Sequence, residues 1–133
     1  MYKKAIAYGK KKYPNLTLQV ADAHKIPYKS GFFDVVICTE VLEHVENPSK
    51  VLQEIKRVMK KNGIAIIELD TGSLLFSIVW YLWRKTRGKV WKDAHLHSFT
   101  VRKLKRYMKH YGFKIIKMQT FNADMAMIFA VKK

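Results

Sequence analysis

The alternation of apolar and polar residues predicts two helices and three strands in the first half of the chain. Residues 2–12 have the composition of a helix, and the Tyr13-Pro14 pair ends it. A second helix is predicted to begin at Pro48, where apolar residues recur at helical spacing until Asn62-Gly63 stops them. The three strands are predicted at residues 16–20, 34–38 and 64–69. The second and third are continuous apolar runs, which are typical of strands buried on both faces.

The second half of the chain continues with helices and then two strands. Residues 73–84 are aromatic and apolar and predict a helix, and Thr100 begins another helix that Gly112 ends. Residues 113–121 and 125–131 follow as two strands, close enough to form a hairpin. The sequence therefore predicts an α/β fold, a mostly parallel sheet with a C-terminal antiparallel hairpin, flanked by helices.

Composition limits the chain to one domain and adds an uneven charge. The 133 residues are 49% hydrophobic and carry a formal net charge of +16. Residues 1–21 contribute +5, residues 22–70 contribute −1 and residues 71–133 contribute +12. A cationic field of this kind recruits anionic partners without specifying which. The lone Cys38 allows no disulfide, which favours a reducing, cytoplasmic location.

Three segments carry a resemblance to a known family. They are Asp22-Ala23-His24-Lys25-Ile26-Pro27, the run from Phe32 through Cys38, and Val41-Leu42-Glu43-His44-Val45 with the helix that follows. Together they resemble the C-terminal portion of a class I S-adenosylmethionine-dependent methyltransferase, in particular of the group called methyltransferase type 11. The resemblance implies a Rossmann-like sheet, S-adenosylmethionine as cofactor, and transfer of its methyl group to a small, lipid-like or anionic acceptor.

The resemblance also implies a cofactor site at the ends of the strands. Asp22 matches the acidic residue that accepts a hydrogen bond from the adenine amino group, and Ala23 matches the residue whose backbone contacts the ring. Thr39 and Glu40 lie where the family places the methionine portion of the cofactor. His24 occupies a variable position and is given no role.

Three histidines are the candidate catalytic residues. His44 follows the cofactor segment and is a candidate base, because an imidazole titrates near neutral pH, although a helix-start histidine bonded to backbone is an equal alternative. His95 and His97 match a histidine-containing stretch before the next helix, and their spacing could direct both toward substrate. No cysteine or third histidine is nearby in the sequence, so no metal is expected there, and no metal-binding residue is predicted elsewhere in the chain.

Part of the family pattern is missing from this sequence. No two of its glycines lie two residues apart, as in the glycine-rich cofactor turn, and residues 1–21 contain no acid to take the ribose hydroxyls. We therefore expect one methyltransferase-like domain over residues 1–133 without the first two strands, and a cap insertion at residues 71–99. The open edge of the 34–38 strand should pair with residues 16–20, a second copy or a partner chain.

A catalytically inactive binding or regulatory module is the alternative function. Such a module would act through a partner chain, an anionic membrane or nucleic acid. The apolar run at residues 73–83 is too short to cross a bilayer, but the cations that follow it suit peripheral attachment to an anionic membrane. No recognised nucleic-acid motif is present, so nucleic acid is the least favoured partner. Cofactor binding separates the enzyme from the module.

Overall fold

A computed structural model describes residues 2–70, 78, 81–82, 85, 95–121 and 125–132. Three helices and four strands have full bounds within these residues. In chain order they are α1 (Tyr2–Lys12), β1 (Phe33–Thr39), α2 (Pro48–Val58), β2 (Met59–Asp70), α3 (Val101–His110), β3 (Phe113–Phe121) and β4 (Met125–Lys132). The predicted helix at 73–84 and most of the predicted cap at 71–99 lie outside the described residues.

The four strands form one sheet in the order β1-β2-β4-β3. β1 pairs with β2 in parallel, whereas β4 pairs antiparallel with both β2 and β3. Three strands therefore point one way and β4 runs against them. The predicted α/β class and the predicted C-terminal hairpin are confirmed.

Helices α2 and α3 begin at side-chain caps. The Asn47 side chain accepts a hydrogen bond from the Lys50 N–H at 3.1 Å, and the Thr100 hydroxyl accepts one from the Lys103 N–H at 3.2 Å. Each cap satisfies a backbone donor that has no partner within the helix. The Ser49 hydroxyl, one residue into α2, bonds with the hydroxyls of Tyr107 and Tyr111 and so links the two helices.

The core lies on the side of the sheet that carries alternate residues of β2. Residues 65, 67 and 69 of that strand are fully buried, and the apolar faces of α2 and α3 join the same hydrophobic cluster. Burial of each large apolar side chain contributes about 1.5–3 kcal/mol to folding. The helix residues in this cluster are Val51, Leu52, Ile55, Leu104 and Met108.

The opposite face of β1 is open, which corrects one prediction. The 34–38 strand was expected to be buried on both faces, but Val35 is 48% exposed and Ile37 is 65% exposed. Ile64, the residue of β2 that pairs with Val35, is also exposed. Cys38 is buried, as its place in an apolar run predicts. Among the described residues nothing covers this part of the sheet, and β1 pairs there with β2 alone.

Two other predictions about the elements are wrong. Residues 16–20 form no strand and therefore do not pair with the edge of β1. α2 ends at Val58 rather than at Asn62-Gly63, because Met59 turns to an extended conformation and the last helical carbonyls accept bonds from Gly31 and Phe32. Gly63 instead lies inside β2, where a Cβ would stand 2.8 Å from the Asp34 carbonyl oxygen.

The parts of the segment at 71–99 that are described are short. Residues 78, 81, 82 and 85 are helical and exposed. No helix within the described ranges combines the length and the apolar character that crossing a bilayer requires.

Candidate functional site

A cleft of about 820 Å³ opens beside the carboxyl end of β1. It is bounded by α1, by the segment at residues 19–24 and by the turn at residues 40–45. Four of the predicted site residues line it, namely Asp22, Ala23, Glu40 and His44. Thr39 lines an adjoining cavity of about 300 Å³ together with Asp22 and Ala23. The structure thus brings the predicted cofactor residues together.

Asp22 is fixed in place by His24. One carboxylate oxygen, Oδ1, accepts hydrogen bonds from the His24 backbone N–H and from the His24 ring Nδ1, both at 2.8 Å. The ring Nε2 accepts a bond from the Asn47 N–H at 3.3 Å, so the ring proton lies on Nδ1. These bonds, the backbone bond above all, lower the pKa of Asp22 and keep it a carboxylate.

His24 is a positioning residue that sequence reasoning missed. Its ring joins the Asp22 loop to the residue that caps α2, a contact across 23 residues of sequence. The bond from the His24 backbone N–H to Asp22 could have been predicted from the sequence, because aspartate commonly accepts such a bond from the backbone two residues later in a turn. The contact between His24 and Asn47 could not have been predicted in this way.

An ion pair ties the same loop to α2. Arg57 donates two bonds to Glu54 at 2.8 Å and one each to the backbone carbonyls of Ile26 and Tyr28, at 2.9 and 2.7 Å. Glu54 also accepts a bond from the Ile26 N–H at 2.9 Å. The bonds from Arg57 lower the pKa of Glu54. The loop that carries Asp22 is therefore anchored to α2 at both its carbonyl and its N–H groups.

We expect Arg57→Met to lower the free energy of unfolding, because it leaves the Glu54 carboxylate, whose side chain is 9% exposed, without its cation. Urea unfolding at pH 7 measures the change. Arg102→Met, an exposed substitution in α3, is the matched control, and equal stability of the two variants would contradict the anchoring role.

The turn after β1 gathers carboxylates. Glu40 has a left-handed backbone, with φ of 53°, and its N–H donates to the Glu68 carbonyl at 3.1 Å. Burial, followed by the negative charges of Glu43 and Asp70, raises the pKa of Glu40 to about 7. A positive φ is uncommon for a residue with a side chain, and residues in such strained conformations cluster at functional sites.

Two of the three candidate histidines meet at this turn. The rings of His44 and His95 lie with centroids 4.7 Å apart. His95 and His97 line a cavity of about 240 Å³ with Glu43 and Asp70, next to the larger cleft. The His97 ring Nε2 lies 3.2 Å from the Glu46 carbonyl oxygen.

The segment with His95 and His97 is held against the turn by backbone bonds. The N–H groups of Leu96 and His97 donate to the Glu43 carbonyl oxygen at 2.8 and 3.1 Å. Glu43 itself is buried and lines the smaller cavity, and the next residue, His44, lines the larger cleft. The site therefore consists of a large cleft holding Asp22 and a small cavity holding His95, with Glu43 and His44 between them.

Comparison with known proteins places this geometry in context. The sequence model of a family described as a methyltransferase domain matches residues 1–67. An uncharacterized protein of Methanocaldococcus jannaschii is 36% identical over 99 residues, which are 74% of this chain and 46% of that protein. The demethylmenaquinone methyltransferase of Streptomyces avermitilis is 39% identical over 59 residues, 44% of this chain and 26% of that enzyme. The chain thus spans less than half the length of these relatives.

A solved structure shares the fold. The crystal structure of an S-adenosylmethionine-dependent methyltransferase from Thermotoga maritima, described as a possible histamine N-methyltransferase, superposes with a TM-score of 0.77 at 19% identity. The superposition covers 99% of this chain and 71% of that one. The sheet and helices described above therefore have the fold of Rossmann-like methyltransferases.

Proposed function

Because the chain belongs to the methyltransferase domain family, whose cofactor is S-adenosylmethionine, we propose that it binds this cofactor in the 820 Å³ cleft and takes part in methyl transfer. The observation that carries the proposal is the Asp22 carboxylate, held at the cleft by two bonds from His24. Both bonds fall on Oδ1, which leaves Oδ2 for an external donor such as the adenine amino group. The cleft volume is also in the range of small-molecule sites.

The remaining cofactor contacts are assigned to residues on the same cleft or beside it. Ala23 would lie against the adenine ring, and Thr39 and Glu40 would lie beside the methionine portion. When bound, the cofactor supplies a methyl group on a positively charged sulfur, which an acceptor displaces in line. The task of the protein is then to hold donor and acceptor in line and to exclude water.

We propose that the acceptor occupies the 240 Å³ cavity and that His95 is its base. His95 lines this cavity, whereas His44 lines the cofactor cleft and lies between the two. An acceptor hydroxyl or thiol must lose a proton as it attacks, and an imidazole at the cavity wall can accept it. His97 lines the same cavity and, with its ring beside the Glu46 carbonyl, helps to position the segment.

A lipid-like or anionic acceptor is supported by charge and by one relative. The 71–133 part of the sequence carries +12, and the similar enzyme from Streptomyces avermitilis is named for demethylmenaquinone. Transfer of labelled methyl from S-adenosylmethionine to a panel of phenols, thiols and amines, with and without anionic vesicles, tests the proposal. We expect methyl transfer to a phenol or a thiol. A chain that binds no cofactor and methylates none of these acceptors would contradict the proposed enzymatic function.

We also propose that a second copy or a partner chain covers the open edge and face of β1. Val35 and Ile37 expose large apolar side chains beside a strand edge that none of the described strands pairs, and such edges pair with other chains. This proposal replaces the expected pairing with residues 16–20.

The purified chain is expected to self-associate through β1. Analytical ultracentrifugation should show a dimer or larger species, and Ile37→Lys should shift it to monomer because the new charge would be buried in the interface. Leu96→Lys, which places the same charge at another exposed apolar position, is the matched control. A wild-type chain that stays monomeric at about 100 μM would contradict self-association.

A further inference from the structure

Three potential metal ligands converge in the turn that follows β1. One ligand atom from each of Glu40, Glu43 and His44 lies within 4.8 Å of the other two. The turn that brings them together contains the left-handed Glu40 backbone, with φ of 53°. Left-handed backbone at a residue with a side chain costs free energy, so surrounding contacts must hold it in place.

Glu43 gives the second and independent observation. The residue is 2% exposed, and in the part of the chain that the structure describes its carboxylate oxygens accept no bond from an N–H group or a cation; the polar side chain close to them is the carboxyl group of Glu40. Leu96 and His97 donate to its backbone carbonyl and not to its side chain. A buried carboxylate without a donor or a cation is strongly unfavourable.

Acidic side chains elsewhere in the described structure have the cationic partner that Glu43 lacks. Glu54 is paired with Arg57, and Asp34 is paired with Lys60 at 2.8 Å. The charges that act on the Glu43 neighbourhood are negative, since Asp70 and Glu68 both raise the pKa of Glu40. The turn therefore concentrates negative charge around a buried carboxylate, and a bound cation would neutralise it.

We propose that Glu40, Glu43 and His44 form a binding site for a divalent cation. Two carboxylates and one imidazole suit a metal that accepts both oxygen and nitrogen, such as Mn²⁺ or Zn²⁺. Three protein ligands leave further coordination positions open to water or to a ligand donor. The site lies between the cofactor cleft and the His95 cavity. The sequence predicts no metal site anywhere in the chain, and this proposal departs from that prediction because the distances within the turn are known only from the fold.

Metal titration of the purified, tag-free full chain tests this site without cofactor or acceptor. Calorimetry with MnCl₂ and with ZnCl₂ should show one site per chain for at least one of the two metals. Glu43→Gln should weaken that binding more than about tenfold, since even the loss of a residue that only supports a metal ligand costs this much. Glu46→Gln, an exposed neighbour outside the cluster, is the matched control and should leave the affinity unchanged.

A second variant covers the case in which Glu43→Gln does not fold. Glu40→Gln changes an exposed side chain and should weaken the same binding by a similar factor, with circular dichroism confirming the fold. Absence of binding at millimolar metal would overturn the proposal. Binding that both variants retain would assign the metal to other histidines and would overturn it equally.

Discussion

Replacing His95 with alanine is expected to lower the turnover number for methyl transfer by about 10²- to 10⁴-fold, the usual contribution of a general base. His95 lines the small cavity beside the cofactor cleft, where an acceptor would lose its proton as it attacks the methyl group. The deficit should shrink as the pH rises, because an acceptor that is already ionised needs no base. Initial rates with the best acceptor of the panel, measured across pH, test both effects.

A second histidine variant serves as the control, because it shows whether replacing any histidine with alanine slows the reaction. His110→Ala changes an exposed residue in the last turn of α3 and should leave the rates unchanged. A His95→Ala enzyme as fast as wild type at every pH would contradict the assignment. A deficit that does not depend on pH would indicate that His95 positions the site and is not its base.

Asp22→Ala is expected to weaken the binding of S-adenosylmethionine by about 10- to 150-fold. Hydrogen bonds to a charged group are stronger than those between neutral groups, and the variant loses the carboxylate that the adenine amino group would use. His24→Ala should weaken binding less, since it removes the bonds that orient Asp22 and leaves the carboxylate in place.

The control for Asp22 is another exposed aspartate. Asp34 lies on β1 and pairs with Lys60, away from the cleft, so Asp34→Ala should bind the cofactor as wild type does. Equal affinities for the Asp22 and Asp34 variants would contradict the assignment of the adenine end of the site.

Local signals in the sequence account for much of the fold. Asn47-Pro48 and Thr100 predict the starts of α2 and α3, and both are capped in the structure as expected. The short connection at residues 122–124 predicts the antiparallel pairing of β3 with β4. These features depend on neighbouring residues only, which explains why pattern reasoning finds them.

The errors arise where tertiary contacts decide the outcome. Residues 16–20 alternate like a strand, but alternation alone does not provide a pairing partner, and they remain irregular. α2 ends early because residues 31 and 32 bond to the carbonyls of residues 57 and 58, which are distant from them in the sequence. The exposure of Ile37 has the same origin, since an apolar run does not show which elements will cover it.

The candidate site likewise has one part that the sequence predicts and another part that it does not. The residues that match the family pattern, Asp22, Ala23, Glu40 and His44, meet in one cleft. The contacts that hold them, from His24 to Asn47 and from Arg57 to the Ile26 carbonyl, join residues more than 20 apart and have no signature in the sequence. The buried carboxylate of Glu43, without a cationic partner among the described residues, is equally a property of the folded chain.

Calorimetric titration of the wild-type chain with S-adenosylmethionine is the decisive test of the cofactor site. We expect one cofactor to bind per chain with a dissociation constant in the micromolar range, about −8 kcal/mol of binding free energy, in the cleft where His24 orients the Asp22 carboxylate. Absence of binding at millimolar cofactor would contradict this expectation and would favour a binding module that keeps the fold without the reaction.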